Sequence, residues 1–110
     1  MELEIKNKEK FSILIIKGDV DLYSSPQVRN KILPIVRNKQ AILFVDFAEV
    51  EYMDSSGVAT LVEALQIANK NNGRLRLYNL RQPIKDVFEL SRLDKVFEIY
   101  ENEQAAFEGI

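Results

Sequence analysis

The spacing of apolar residues changes several times along the chain, and each change marks an element. Leu3 and Ile5 alternate with Glu2, Glu4 and Lys6, the period of two expected of a half-buried strand. After the polar turn Asn7-Lys8-Glu9-Lys10, the run Phe11-Ser12-Ile13-Leu14-Ile15-Ile16 is rich in β-branched residues and apolar on both faces past Ser12. It predicts a more central strand, paired with the first as a hairpin. Gly18-Asp19-Val20-Asp21 breaks the pattern. Ser24-Ser25-Pro26 then reads as a helix start. Either serine can cap, and Pro26 is tolerated in the first turn because its missing N–H would be unpaired there. Val28, Ile32, Ile35 and Val36 share one face at helical spacing. Pro34 lies too deep to be a cap and predicts a kink or an end near Leu33.

Ala41 to Val45 is a nearly unbroken apolar run closed by Asp46, the mark of a strand covered on both faces. Phe47 to Met53 reads as a short loop or a brief extension. From Ser56 to about Asn71, residues Val58, Leu61, Val62, Leu65 and Ala68 recur at helical spacing, with Thr60, Glu63, Gln66 and Lys70 outside the stripe. Gly73 is suited to the left-handed position that follows a helix. Arg74-Leu75-Arg76-Leu77-Tyr78 alternates as a strand whose arginines face solvent. Ala41 to Tyr78 is therefore a βαβ crossover, expected to be right-handed with parallel strands. Pro83 opens another helix through Ile84, Val87 and Phe88 to near Leu90 or Ser91. After Leu93-Asp94-Lys95 come a short strand, Val96 to Tyr100, and a last helix, Glu103 to Phe107. The order β-β-α-β-α-β-α-β-α predicts one α/β domain over residues 1–110, with a mixed sheet of four to five strands and about four helices.

Composition narrows the function. The chain is 46% hydrophobic and 29% charged, with a formal net charge of −2. That is an ordinary globular balance, and no basic stripe invites nucleic acid. No cysteine is present, which excludes disulfides, thiol nucleophiles and thiolate metal sites. No histidine is present either, which removes the commonest general base and metal ligand together. The four glycines form no phosphate-binding loop, and no G-x-S-x-G elbow occurs, so no cofactor is expected. Asp19 and Asp21 read as a solvated turn, with no metal site. The N-terminus lacks a signal-peptide core, and the apolar run at Ala41 is far shorter than the ~20 residues of a membrane helix. The reading is cytoplasmic.

One stretch stands apart: Tyr52-Met53-Asp54-Ser55-Ser56-Gly57-Val58. It joins a strand's C-terminal end to a helix's N-terminal end, where α/β proteins place working residues. Free helix N–H groups and the helix dipole favour negative charge there. In the plainer reading, Asp54, Ser55 or Ser56 simply caps the helix. Gly57 costs the helix somewhat under ~1 kcal/mol relative to alanine. Its presence suggests the close approach of a partner's backbone or an unusual dihedral.

Asp54-Ser55-Ser56-Gly57, set between an apolar strand ending in Asp46 and the Val58/Leu61/Val62/Leu65 helix, resembles the signature of the STAS domain, and more closely the bacterial anti-sigma factor antagonists. Gly18-Asp19-Val20-Asp21 resembles that family's glycine–acidic–aliphatic–aspartate turn. Ala41 to Asp46 resembles its central strand, and Val87 to Ser91 with Leu93 to Phe97 its last helix and strand. Two departures are local: Arg92 stands where the family often has glycine, and Pro34 is unusual inside the first helix.

The resemblance implies a mechanism. An anti-sigma factor with serine-kinase activity would bind this loop and phosphorylate Ser55. Unphosphorylated, the domain would capture that partner and free the sigma factor; phosphorylated, it would let go, and a phosphatase would reset it. Asp54, Ser56 and Gly57 would belong to the contact surface, with Asp21 contributing from the neighbouring loop. The chain would be an enzyme's substrate and perform no catalysis, without direct contact with nucleic acid or membrane. Two other readings stand beside this one. The chain is a STAS subunit of a stress-signalling scaffold or of a lipid-transporting ATPase, or it is a small enzyme or nucleotide binder that uses the Ser55/Ser56 helix start as an anion site.

Overall fold

The computed structural model describes residues 1–110. In chain order it contains β1 (Glu2–Asn7), β2 (Ser12–Lys17), α1 (Ser25–Val36), β3 (Ile42–Glu49), α2 (Ser55–Lys70), β4 (Arg74–Tyr78), α3 (Gln82–Leu90), β5 (Glu98–Tyr100) and α4 (Glu103–Phe107). The five strands form one sheet in the order β1-β2-β3-β4-β5. β1 and β2 are antiparallel, with Leu3 opposite Ile16 and Ile5 opposite Leu14. Every later pair is parallel. The expected hairpin and the parallel β3–α2–β4 unit are both present. β3 runs past Asp46 to Glu49, because Phe47 continues the inward alternation of Leu43 and Val45 and is fully buried.

The two faces of the sheet are covered unequally. On one, Leu14, Leu43, Val45, Leu75 and Leu77 pack with the inner sides of α1, α2 and α3 in a single buried cluster. On the other, Ile13, Phe44 and Tyr78 meet Ala106 of α4, with Phe11, Ile15 and Phe107 packed around them. The Phe44 and Phe107 rings stand 4.4 Å apart and the Phe11 and Phe44 rings 5.1 Å, both edge to face. α4, five residues long, is the only helix on that side. No helix is long and apolar enough to cross a membrane.

Several local expectations are corrected. α1 does not stop at Leu33; it runs through Pro34 to Val36. Pro34 is exposed and near the end of the helix, so its missing N–H affects one solvent-side bond, and its carbonyl accepts from Asn38 Nδ2 at 3.1 Å. Ser24 occupies the N-cap of α1, yet neither serine caps it through the side chain. The Ser24 hydroxyl turns back to donate to the Asp19 carbonyl at 2.7 Å. Thr60, expected outside the α2 stripe, is buried. It lies one turn before Glu63, which meets Arg29 of α1, so that side of α2 is covered as well.

Helix ends hold the largest departures. After α2 the left-handed position belongs to Asn72 (φ 59°), not to Gly73. Gly73 N donates to the Ala68 carbonyl at 2.8 Å, one residue further along the Schellman turn. Glycine is required there because a Cβ would run into the carbonyl oxygen of Ala41. α3 ends in the same turn: Arg92 N donates to Glu89 O at 3.0 Å and Leu93 N to Phe88 O at 2.8 Å. Arg92 takes the left-handed position, with φ 59°. Arg76, expected in solvent, is buried. Its Nη1 donates to the carbonyls of Ala106 and Glu108, each at 2.8 Å, and its guanidinium lies 5.2 Å from the Tyr100 ring. It closes the C-terminal end of α4, whose last carbonyls lack helical partners.

Candidate functional site

At the C-terminal ends of β2 and β3 the chain leaves the sheet in two loops, and main-chain bonds zip them together. Val20 and Met53 form an isolated parallel bridge. Val20 N donates to Tyr52 O at 2.9 Å, and Asp54 N donates to Val20 O at 3.1 Å. Both bridge side chains are buried, anchoring the loops in the core. Asp21 and Asp54 therefore stand next to partners in the bridge, on adjacent loops, as the sequence led one to expect.

Asp54 is the N-cap of α2, in extended conformation, and the helix begins at Ser55 rather than Ser56. Its Oδ1 accepts from Ser56 N at 2.9 Å, from Gly57 N at 3.4 Å and from the Ser56 hydroxyl. The Ser56 hydroxyl, joined by the N–H groups of Gly57, Ser56 and Leu22, holds the carboxyl below the usual carboxylate range against a smaller opposing effect of burial. This changes the expected chemistry of the helix start. Two of the first-turn N–H groups thought free for an external anion, those of Ser56 and Gly57, are already occupied by the chain's own carboxylate.

The two serines of the motif differ sharply. Ser56 is half-buried and its hydroxyl is committed to Asp54. Ser55 is exposed at the first helical position, and its hydroxyl has no partner within the chain. Of the two, only Ser55 offers a free oxygen to an approaching active site.

Gly57 lies beneath this surface. It is buried, and its φ is not in the left-handed region. A Cβ there would stand 2.6 Å from Met53 Cγ and 2.8 Å from Val20 Cγ1. The unusual-dihedral explanation is thus overturned. The close approach is internal, between the first turn of α2 and the two bridge side chains.

Asp21 is more than a free surface charge. Its Oδ1 accepts from Tyr23 N at 2.9 Å and Ser24 N at 3.0 Å, and its own N–H donates to Ser24 Oγ at 2.9 Å. These bonds fold the loop on itself and raise Leu22 and Tyr23 into solvent. Leu22 is 68% exposed, Tyr23 87% and Tyr52, across the bridge, 54%. Hydropathy alone could not find these three, because it scores an outward apolar or aromatic side chain like an inward one. The available signal was their position inside otherwise polar turns. No three acidic side chains gather closely enough to hold a metal ion.

The α1 and α2 helices that carry the loops are clamped by Arg29, whose Nε and Nη2 donate to the two Glu63 carboxylate oxygens at 2.7 and 2.9 Å. The ion pair raises the Arg29 pKa and lowers that of Glu63.

Comparison with known proteins bears on the family and the fold. The STAS domain model matches residues 2–106. An anti-sigma-B factor antagonist of Bacillus subtilis (strain 168) is 29% identical over 99 residues, covering 90% of each chain. An anti-sigma-factor antagonist (STAS) domain protein from Planctomyces limnophilus superposes with a TM-score of 0.84 at 16% identity, over 93% of this chain and 92% of that one. The Bacillus cell fate determinant SpoIIAA in its phosphorylated form superposes with a TM-score of 0.70 at 21% identity, over 94% and 96%.

Proposed function

Since the chain belongs to the STAS domain family, we propose that it is a cytoplasmic anti-sigma factor antagonist switched by phosphorylation of Ser55. It binds an anti-sigma factor that is also a serine kinase, frees the sigma factor held by that partner, and is released once Ser55 carries phosphate. A phosphatase restores the binding form. The chain itself performs no catalysis in this cycle. The observation that carries the reading is the contrast between Ser55, exposed and unbonded, and Ser56, tied to Asp54. The names of relatives such as the Bacillus subtilis anti-sigma-B factor antagonist give the partner class.

The contact surface follows from the two loops. Tyr23 and Tyr52 supply exposed aromatic area of the kind enriched at binding hot spots, and Leu22 adds exposed apolar area beside Tyr23. Asp21 and Asp54 hold the loops in shape and add negative charge, Ser56 fixes the Asp54 rotamer, and Gly57 lets α2 sit close beneath. Phosphate on Ser55 adds about −1.5 to −2 charges beside a carboxylate that is already ionised and has already taken the N–H groups of Ser56 and Gly57. Docking would bury that excess charge without compensation. The same occupancy disfavours a nucleotide-binding reading of the helix start.

Mixing the protein with the candidate kinase and ATP is expected to add one phosphate, located at Ser55 by mass spectrometry. Ser55→Ala is expected to bind the partner and take no phosphate, while Ser56→Ala still accepts it. Ser55→Asp is expected to fold and to bind at least 100-fold more weakly, a difference of ~2.7 kcal/mol. An unmodified Ser55, or a Ser55→Asp variant that binds like the parent, defeats the proposal.

A further inference from the structure

α4 covers only part of the second sheet face. It packs on β4 and β5, and the β1–β2 half of that face has no helix above it. At the step between the two halves lies an open cavity of about 240 Å³. Its floor is apolar, formed by Phe11, Ile13 and Ile15, with Phe107 of α4 as a side wall. Its charged residues are segregated: Lys6 and Lys8 come from the β1 side, Asp46 from β3 and Glu103 from α4. None of the four makes an ion pair within the chain. Tyr78 also lines the cavity. It is 1% exposed, and its hydroxyl has no hydrogen-bond partner in the chain.

The side chains of Lys6, Lys8 and Glu103 have no partner in the chain, whereas Asp46 Oδ1 accepts from Ala48 N and Asn79 Nδ2 but makes no ion pair. The Tyr78 hydroxyl, unbonded within the chain and not closed off from solvent, can bond a polar atom of a ligand in the cavity. Two cations facing two carboxylates across an apolar floor complement a molecule that carries both charges and an apolar body. The volume lies below the roughly 300–1,000 Å³ of sites for drug-sized ligands, so the occupant is small. The sheet register sets the scale across the cavity: Lys6 lies opposite Ile13 of β2, and Ile15 of β2 opposite Asp46 of β3. Two strand spacings of about 4.8 Å separate the cationic and anionic edges, a gap the flexible lysine stems can close.

We propose that this cavity binds a small zwitterion with an apolar side chain, the chemistry of a free apolar amino acid or a dipeptide. Its ammonium faces Asp46 and Glu103, its carboxylate faces Lys6 and Lys8, and its apolar part rests on Ile13 and Ile15, with the Tyr78 hydroxyl bonded to a polar atom of the ligand. The cavity shares no lining residue with the Ser55 loops.

The test is a titration of the full chain with phenylalanine, followed by methyl NMR. The Ile13 and Ile15 methyl signals are expected to shift saturably with a Kd of about 1 mM or tighter, while the Ile32 methyls, on the opposite side of the sheet, stay in place. Phenethylamine and 3-phenylpropionate each lack one charge and are expected to bind at least about 5-fold more weakly. Tyr78→Phe keeps the packing and is expected to lose about 2- to 10-fold in affinity, and Glu103→Gln to lose affinity without change of fold. Shifts that do not saturate, equal binding of the three probes, or a Tyr78→Phe variant that binds like the parent overturns the proposal.

Discussion

Arg92 holds a backbone conformation that suits glycine, at the point where α3 turns toward β5. Its side chain is exposed and makes no hydrogen bond or ion pair, so nothing in the fold depends on the arginine itself. Arg92→Gly is expected to stabilise the domain by up to about 1 kcal/mol, read as a rise of roughly 4–8 °C in Tm. An unchanged or lower Tm would mean that the greater freedom of glycine in the unfolded chain outweighs the relief. Asp54 gives a prediction with a pH signature. Its folded pKa lies below the unfolded value, so the unfolded chain binds the proton more readily. The stabilisation is therefore complete above the unfolded pKa of about 3.9 and is lost as pH falls through the folded pKa. Asp54→Asn retains an acceptor for the cap but has no proton to take up. The Tm difference between parent and variant is expected to be largest near neutral pH and to shrink on acidification below about pH 4. A constant difference across that range would show that Asp54 does not carry the acid sensitivity.

The seating of α2 is the matter to consider for whole elements. Its first turn rests on Val20 and Met53, the side chains of the bridge, and the space between them holds no Cβ at position 57. Gly57→Val forces either the helix or the bridge to move. Overpacking of this kind costs about 1–3 kcal/mol, so the variant is expected to lose stability as well as partner binding. Met53 is unbranched and adapts, whereas Val20 is stiff. Shortening Met53 therefore relieves the nearest contact. In a double-mutant cycle of Gly57→Ala with Met53→Ala, the combined loss is expected to be smaller than the sum of the single losses. Strict additivity would place the cause elsewhere. α4 has a different weakness. It is too short to stand alone, and Arg76 binds its last carbonyls from below.

Across the whole molecule, the unequal covering of the sheet predicts unequal stability. Three helices seal one face in one cluster, and α4 with its aromatic contacts guards the other. Arg76→Leu removes charge-assisted bonds worth about 1.5–3 kcal/mol. Amide exchange in α4 is expected to quicken roughly ten- to a hundredfold, while β3 and α2 keep their protection. Uniform acceleration throughout the chain would show instead that α4 opens only with the global fold. The same asymmetry explains what could be read from the amino acids alone. Alternation located β1 and β4, a β-branched apolar run located β2, and helical spacing located α1, α2 and α3, because each signal is local. The burial of Arg76 was hidden because the carbonyls it binds lie about thirty residues further along the chain. At the site, the Asp-Ser-Ser-Gly pattern disclosed the helix start. It did not reveal that Ser56 is engaged and Ser55 free, which depends on a rotamer. The clasp between the two loops is built from backbone N–H and C=O groups. Almost any residue other than proline provides those groups, so the clasp's hydrogen bonds do not depend on which outward-facing side chains flank it. Leu22, Tyr23 and Tyr52 point outward and support no core packing. After a gene duplication, two copies can retain the same clasp and drift at these three positions at little cost to folding. On the proposed contact surface, separate partner choice between paralogues then needs only a few substitutions, none of which has to cross an unfolded intermediate.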